Sequence, residues 1–323
     1  MEHIILYAIV PILVIMLLGY YSGKTGSFTG ENARVLNKVV LNYALPAALF
    51  VSIIKANRQM LSVDVKLTII AFVVLLVCFF LVYYVFRYLY KDTVAESAVS
   101  ALISGSPTIG FLGFAVLQPI FGDSASVGLV IAIVSIEVNA LGIPIGLALI
   151  NAGNAQVGAD GKKPSIWGPM IKALKEPVAW APILAVVLVL CGVKWPDYLN
   201  PSFHLISGAN ASVAVFAAGI TLSSVKIKIN GQAVMGSFLK LFIMPLSLLV
   251  VGLIFKMDPT NLKMLVISGA LPPAFSGIII ASRYNIYVAT GTSSLALSTI
   301  LFMGLCPVWL WITDLALKWF PVA

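Results

Sequence analysis

Charge is the property this chain has least of, since only 10% of its 323 residues are charged. A typical soluble domain has about 25% charged residues and about 45–50% apolar ones. Here 60% of the residues are hydrophobic, and the mean hydropathy is +1.04. These values exclude a soluble enzyme, a disordered tail and a nucleic-acid-binding module, so no nucleic-acid partner is expected. They predict an integral membrane protein whose main surroundings are the lipid bilayer.

Cysteine and histidine are equally scarce, with three and two residues. Cys78, Cys191 and Cys306 all lie in apolar runs and form neither a disulfide framework nor a metal motif, so we predict small core residues. A membrane-embedded enzyme or sensor would need a nucleophile–base pair or metal ligands at one depth. The chain has no such set, no phosphate-binding loop and no catalytic triad pattern. It is therefore predicted to be neither an enzyme nor a cofactor-binding protein.

Apolar segments fill almost the whole chain, and one membrane span needs about 20 such residues. We predict an all-α membrane protein with ten transmembrane helices. The longest polar loop divides these spans into a five-helix unit at residues 1–152, a linker loop at 153–166 and a second five-helix unit at 167–323. The predicted spans are residues 4–22, 33–54, 63–89, 94–119, 124–150, 169–191, 199–223, 232–255, 260–282 and 287–317.

The net charge of +8 reflects 20 Lys and Arg against 12 Asp and Glu. Cytoplasmic loops of membrane proteins carry an excess of Lys and Arg. If the N-terminus is outside, most of these cations fall in loops on the inner side. We therefore predict a multi-pass protein of the cell membrane, with both termini outside and the linker loop inside. This assignment leaves no Lys or Arg near the centre of a span.

Five spans are an odd number, so a second unit with the same fold would be inverted relative to the first. Corresponding spans should then look alike, and the fourth and ninth do. The fourth contains Ser-Gly-Ser-Pro-Thr-Ile-Gly at residues 104–110, and the ninth contains Leu-Pro-Pro-Ala-Phe-Ser-Gly at 271–277. Matched Pro and Gly interruptions are typical of transporter substrate sites. Two kinked but continuous helices are the simpler alternative.

Broken helices would present the start of each second half-helix, with its free N–H groups and positive dipole end, to a carboxylate. Residues 108–110 and 274–277 occupy these positions. The sequence thus predicts a site for a small organic anion without a membrane-embedded cation. Hydroxyl groups that bond only their own helix are the alternative. The predicted substrate-binding residues are Ser106, Pro107, Thr108, Gly110, Pro272, Pro273, Ser276 and Gly277, together with the in-span amides Asn42 and Asn210.

Glu137 is the acidic residue that lies deep within a span. Ionisable groups at this depth are costly and usually functional. Glu137 is a candidate to bind a coupling proton or sodium ion, and a hydrogen-bonded structural carboxyl is the alternative. Arg283 ends the ninth span, either as a charge anchor or as an inner-rim residue that attracts anions. Gly19 in span one suits packing within the chain or contact with a second copy in a homodimer.

These features resemble the auxin efflux carrier family, which includes bacterial malonate and malate permeases and plant carriers of auxin. The similarity covers essentially the whole chain. It departs from the family at Thr108 and Ala115, where members often have Asn and Pro. The segments that carry it are GYYSGK at 19–24, LNKVVLNYALPAALF at 36–50, GFLG at 110–113, FG at 121–122, ALPP at 270–273 and ASRY at 281–284.

The resemblance implies ten spans in a 5+5 inverted repeat, with helices four and nine broken and crossing. It also implies that the substrate binds at the crossing, and it suggests organic anions, dicarboxylates in bacteria and auxin in plants. The short central loop favours a bacterial permease over a long-loop plant carrier. The expected function is a secondary transporter of malonate- or malate-type anions working by alternating access. A sodium- or proton-coupled carrier of the bile-acid symporter or cation antiporter type is the alternative.

Overall fold

The computed structural model describes residues 10–54, 65–154, 175, 177–193, 195–224 and 229–320. All named elements within these ranges are helical. Residues 4–9 of the first predicted span and residues 155–166 of the predicted linker lie outside the described residues. The α-helices are α1 Val10–Lys24, α2 Gly30–Val39, α3 Leu45–Ile54, α4 Val65–Tyr84, α5 Val94–Ser104, α6 Ile109–Phe121, α7 Ala125–Ile136, α8 Ile143–Asn154, α9 Pro177–Cys191, α10 Asn200–Ser207, α11 Ala209–Ser223, α12 Gly231–Phe238, α13 Met244–Ile254, α14 Pro259–Ala270, α15 Phe275–Tyr284 and α16 Val288–Trp319.

Several of these segments join into rods that are long and apolar enough to cross a bilayer. The described residues contain six such rods, and shorter apolar helices accompany them. This confirms an all-α protein with several membrane-spanning helices. The six rods are Gly30–Val51, Val65–Leu89, Ala125–Gly153, Asp197–Ser223, Gly231–Ile254 and Val288–Trp319.

Three of the rods contain a π-helical turn just before a proline. The π turns Val40–Ala44, Glu137–Gly142 and Leu239–Ile243 each end two residues before Pro46, Pro144 or Pro245. Proline lacks an N–H group and collides with the carbonyl one turn earlier, so a wider turn lets the helix continue without breaking. Asn42, Glu137 and Lys240 lie in these three turns, so these polar residues of the spans are located where the helix is widened.

Helices α1 and α11 pack with their backbones almost in contact. A Cβ atom at Gly19 would lie 2.1 Å from the Phe216 carbonyl oxygen, and one at Gly219 would lie 2.1 Å from that of Met16. Only glycine permits this approach, so the small residues of α1 are used within the chain.

The cysteines differ in their surroundings. Cys78 and Cys306 are buried, as predicted, whereas Cys191 is exposed. The core prediction was therefore wrong for Cys191, because this residue ends α9, where the helix leaves its packed neighbours.

Candidate functional site

Two helix interruptions meet inside the bundle, and we call this meeting point the crossing. α5 ends at Ser104 and α6 begins at Ile109, while α14 ends at Ala270 and α15 begins at Phe275. A proline disfavours helical backbone in the residue before it. Leu271 has an extended backbone before Pro272, with φ −53° and ψ 150°. The segments 105–108 and 271–274, which contain Pro107 and the pair Pro272 and Pro273, therefore interrupt their helices.

The two extended segments pair with each other as a short antiparallel bridge. The Thr108 N–H donates to the Pro272 carbonyl at 3.0 Å, and the Ala274 N–H donates to the Ser106 carbonyl at 3.1 Å. Backbone groups released at membrane depth must find partners, and here each break supplies them to the other. The prediction that the amides of residues 108–110 and 274–277 stay unpaired was wrong for Thr108 and Ala274, because the breaks pair with each other. It was also wrong for Gly277, whose N–H donates to the Ala274 carbonyl at 3.1 Å.

Glycine lets the helices of the crossing pack on bare backbone. A Cβ at Gly277 would lie 2.6 Å from the Leu102 carbonyl oxygen and 2.9 Å from the Ile103 nitrogen. One at Gly110 would lie 2.9 Å from the Leu45 side chain. The predicted site residues Gly277 and Gly110 thus hold α15 on α5 and bring α6 against α3.

Thr108 is the N-cap residue of α6, yet its side chain makes no capping hydrogen bond. Its hydroxyl oxygen is buried and has no partner in the described part of the chain. N-cap hydroxyls normally accept from the N–H groups of the first helical turn. The Thr108 hydroxyl therefore leaves the start of α6 without a side-chain cap.

The other predicted residues of the crossing surround this point. Ser106, Pro107, Pro272 and Pro273 are buried, and Ser276 in the first turn of α15 is half-buried. The structure thus brings together two helix starts, one proline from the first break, two from the second, and hydroxyl groups. This arrangement can hold an anion by dipoles and hydrogen bonds.

Glu137 begins the π turn that follows α7, and its side chain is only 2% exposed. It makes no hydrogen bond or ion pair within the described ranges. The same π turn reaches the crossing, since a Cβ at Gly142 would lie 3.6 Å from the Ser106 hydroxyl oxygen. A carboxyl group without a protein partner therefore lies in the element that packs beside the crossing.

Lys240 contradicts the prediction that no cation lies deep within a span. It belongs to the π turn Leu239–Ile243, is fully buried, and donates a hydrogen bond to the Gly269 carbonyl near the end of α14. Charge counting assigned it to the inner loop because it lies near the start of its span. Helix C-terminal carbonyls carry partial negative charge, which the ammonium group neutralises here.

The remaining predicted residues have different positions. Asn210 in α11 is 1% exposed, and neither atom of its amide has a partner within the ranges described above. The structure does not bring Asn42 to the crossing, because its exposed side chain lines a separate apolar cavity of about 640 Å³ between α3, α9 and α10. Arg283 lies in the last turn of α15, and its side chain is outside the described part of the structure.

The sequence analysis missed a second cavity, of about 330 Å³, that reaches the crossing. It lies between α2 and α11 on one side and α15 and α16 on the other, at the end of the bundle predicted to be cytoplasmic. Arg34 and Asn37 line it from α2, and Phe275, the first residue of α15, lines it from the crossing. The signal in the sequence was the Arg-x-x-Asn spacing, which puts both side chains on one helix face.

An Asp92 network joins the helix ends at this side of the bundle. The Tyr287 hydroxyl donates to the Asp92 carboxylate at 2.6 Å, the Gln232 amide donates to it at 3.1 Å, and Arg87 donates to the Asp92 carbonyl at 2.6 Å. Burial raises the pKa of Asp92, and the Tyr287 hydrogen bond opposes that rise. Burial and the adjacent carboxylate raise the pKa of Tyr287, so its hydroxyl remains a donor. The network fixes the starts of α5, α12 and α16 relative to one another.

Comparisons with known proteins place the sequence among membrane transporters. The sequence profile of a family described as "Membrane transport protein" matches residues 4–310. The chain is 55% identical to the "Uncharacterized transporter YfdV" of Escherichia coli (strain K12), over 95% of this chain and 97% of that protein. It is 24% identical to the "Putative malonate transporter" of Rhizobium meliloti (strain 1021), over 91% of each, and 22% identical to "Auxin efflux carrier component 8" of Arabidopsis thaliana, over 88% and 91%.

Proposed function

Because this chain belongs to the auxin efflux carrier family of membrane transport proteins, we propose that it carries a small organic anion of the malonate or malate type across the cell membrane. The guest binds at the crossing, and access to it alternates between the two sides of the membrane. The protein acts as a multi-pass membrane transporter and catalyses no covalent reaction.

One observation carries this proposal, namely the pairing of two helix breaks whose second halves both start at the crossing. The starts of α6 and α15 bring two positive dipole ends to one point. The uncapped start of α6 and the partnerless Thr108 hydroxyl add hydrogen-bonding capacity there. Small organic anions match this chemistry, because they need several donors and little room.

The transport unit is proposed to be a 5+5 inverted repeat of ten spans, with residues 1–152 and 167–323 as the two halves and both termini outside. Matching breaks in the fourth and ninth spans support this division. The cavity beside α15 supports alternating access, since its lining runs from the exposed Arg34 of α2 to Phe275 at the crossing.

Glu137 is proposed to couple transport to a proton or a sodium ion. Its carboxyl group is buried and has no partner among the residues that the structure describes, and its π turn packs against Ser106 of the crossing. A carboxyl group in such surroundings can exchange a proton or take a cation as the guest moves. The neutral substitution Glu137→Gln keeps its size and removes this exchange.

Uptake of labelled malonate, malate and an auxin-like acid into proteoliposomes tests the function. We expect saturable uptake of at least one of these acids that is driven by a proton or sodium gradient. Glu137→Gln should still exchange the acid across the membrane, but its uptake should no longer depend on an ion gradient. Asp123→Asn in the loop before α7 should leave both properties unchanged. If all three acids fail with and without ion gradients, the substrate class is wrong. If Glu137→Gln keeps full gradient dependence, the coupling role is wrong.

A further inference from the structure

The cavity that reaches the crossing is small and has two unlike walls. Its volume of about 330 Å³ lies at the lower end of the range of roughly 300–1,000 Å³ found for ligand sites. The wall formed by α2 and α11 is polar, whereas the wall formed by α15 and α16 is mostly apolar. The lining residues used below are Glu31, Arg34, Asn37, Phe275, Ile278 and Val288.

The polar wall is organised along α2. Glu31, Arg34 and Asn37 recur every three residues, which places them on one face at steps of about 4.5 Å along the axis. The start of α2 does not use them, because Thr29 and Asn32 form its capping box. Glu31 and Arg34 are exposed to the cavity mouth, and Asn37 lies one turn deeper.

Asn37 is an unusual residue for a cavity floor. Its side chain is 7% exposed, and it makes no side-chain hydrogen bond within residues 10–54 or the other described ranges. Buried amides are normally satisfied by hydrogen bonds. Since Asn37 lines the cavity and its amide is not used by the described residues, this amide is open to a guest in that space.

Arg34 likewise has no ion pair in the described residues, although Glu31 is one turn away. A guanidinium group holds a carboxylate with two parallel hydrogen bonds. The facing residues Phe275, Ile278 and Val288 bring no charge into the cavity. The site therefore offers one cation to a guest, and its acidic neighbour disfavours a second negative charge.

We propose that this cavity is a carboxylate-binding site separate from the crossing, in which Arg34 binds one carboxylate of a small organic acid and Asn37 donates its amide to the same guest. The inference rests on the proposed function, because it adds a binding step on the route to the crossing. The site takes one carboxylate group per guest, and the apolar wall contacts the remainder of the molecule.

Arginine footprinting of the purified full-length protein tests the site without requiring transport. Phenylglyoxal modification at Arg34 is measured by mass spectrometry with propionate, malonate or propionamide present. We expect both acids to protect Arg34 with affinities within about threefold of each other, and the neutral amide to give no protection. Arg87, which binds the Asp92 carbonyl outside the cavity, is the internal reference and should show no protection.

Variants of the same helix refine the test. Asn37→Leu should weaken the protection of Arg34 about tenfold, because one hydrogen bond to a charged guest is lost. Lys38→Gln removes a neighbouring charge that does not line the cavity and should change nothing. Equal weakening by both variants would show a general charge effect and overturn the assignment to Asn37.

Two outcomes separate this inference from the proposed function. Protection of Arg34 in a protein that transports none of the acids would support the carboxylate site and refute the transport assignment. Saturable transport without protection of Arg34 would overturn the carboxylate site and leave the transport assignment standing. Protection by malonate more than tenfold stronger than by propionate would overturn the one-carboxylate site.

Discussion

Replacing Thr108 with valine should make the protein more stable and less active. Valine has the same shape but lacks the hydroxyl group, which is buried in the crossing and has no partner in the described part of the protein. A buried polar group left unsatisfied costs about 1–3 kcal/mol, so its removal should raise stability by up to that amount. If the hydroxyl binds the guest anion, its loss should cost about 1.5–3 kcal/mol of binding, or roughly ten- to hundredfold in apparent KM.

Thr313→Val in α16 is the matched control. Thr313 is also fully buried, but its hydroxyl donates to the Trp309 carbonyl at 2.7 Å. Here the substitution removes a satisfied hydrogen bond and should lower stability by about 1 kcal/mol with no change in apparent KM. Thermal melting of the purified protein and uptake into proteoliposomes measure the two effects.

The two substitutions are expected to change stability in opposite directions, which makes the test for Thr108 strict. A structural role alone would give Thr108→Val the same loss of stability as the control. Lower stability of Thr108→Val, or unchanged uptake kinetics at higher stability, would refute the assignment of this hydroxyl to the guest.

Three further substitutions test the packing at the crossing and the contacts at the helix ends. Gly277→Ala should speed hydrogen exchange of the paired Thr108 and Ala274 amides about tenfold or more, because overpacking against backbone costs about 1–3 kcal/mol. Gly304→Ala is the control. It should leave the exchange rate unchanged, because an added Cβ there would have no neighbour within 4 Å. Thr93→Ala removes the capping box of α5 and should lower stability by about 1 kcal/mol in thermal melts, while serine should preserve it. Tyr287→Phe removes a donor to Asp92 and should raise the pKa of that carboxyl further. Since a raised pKa favours the folded state only when the group is protonated, the loss of melting temperature should be largest near about pH 7 and shrink toward about pH 4; a constant loss across that range would contradict this mechanism.

The breaks could be anticipated from sequence because their cause is local. Proline and glycine oppose helical backbone wherever they occur, and the segments 104–110 and 271–277 concentrate them. The π turn before Pro46 had a similar local cause, although its width was not foreseen. The presence of several membrane-spanning helices was equally predictable, since apolar length alone decides whether a helix can cross a bilayer.

Pairing between the breaks could not be anticipated in the same way. Which amides remain free depends on whether the second break lies within hydrogen-bonding distance, and no local pattern encodes that distance. Lys240 was assigned to the inner loop for a related reason. Counting charges uses only its position near the start of its span, whereas the Gly269 carbonyl that accepts its hydrogen bond comes from another helix. The cavity at Arg34 could not be predicted from sequence either, because four helices from distant parts of the chain form its walls.

The amino-acid sequence alone determined that this protein is a helical membrane protein with two interrupted spans, because hydropathy and backbone preference act residue by residue. Tertiary structure decided which groups around the interruptions are already satisfied and which are left for a guest. The physical reason is that hydrogen bonds and ion pairs act over about 3–4 Å, so their presence depends on how distant parts of the chain are packed.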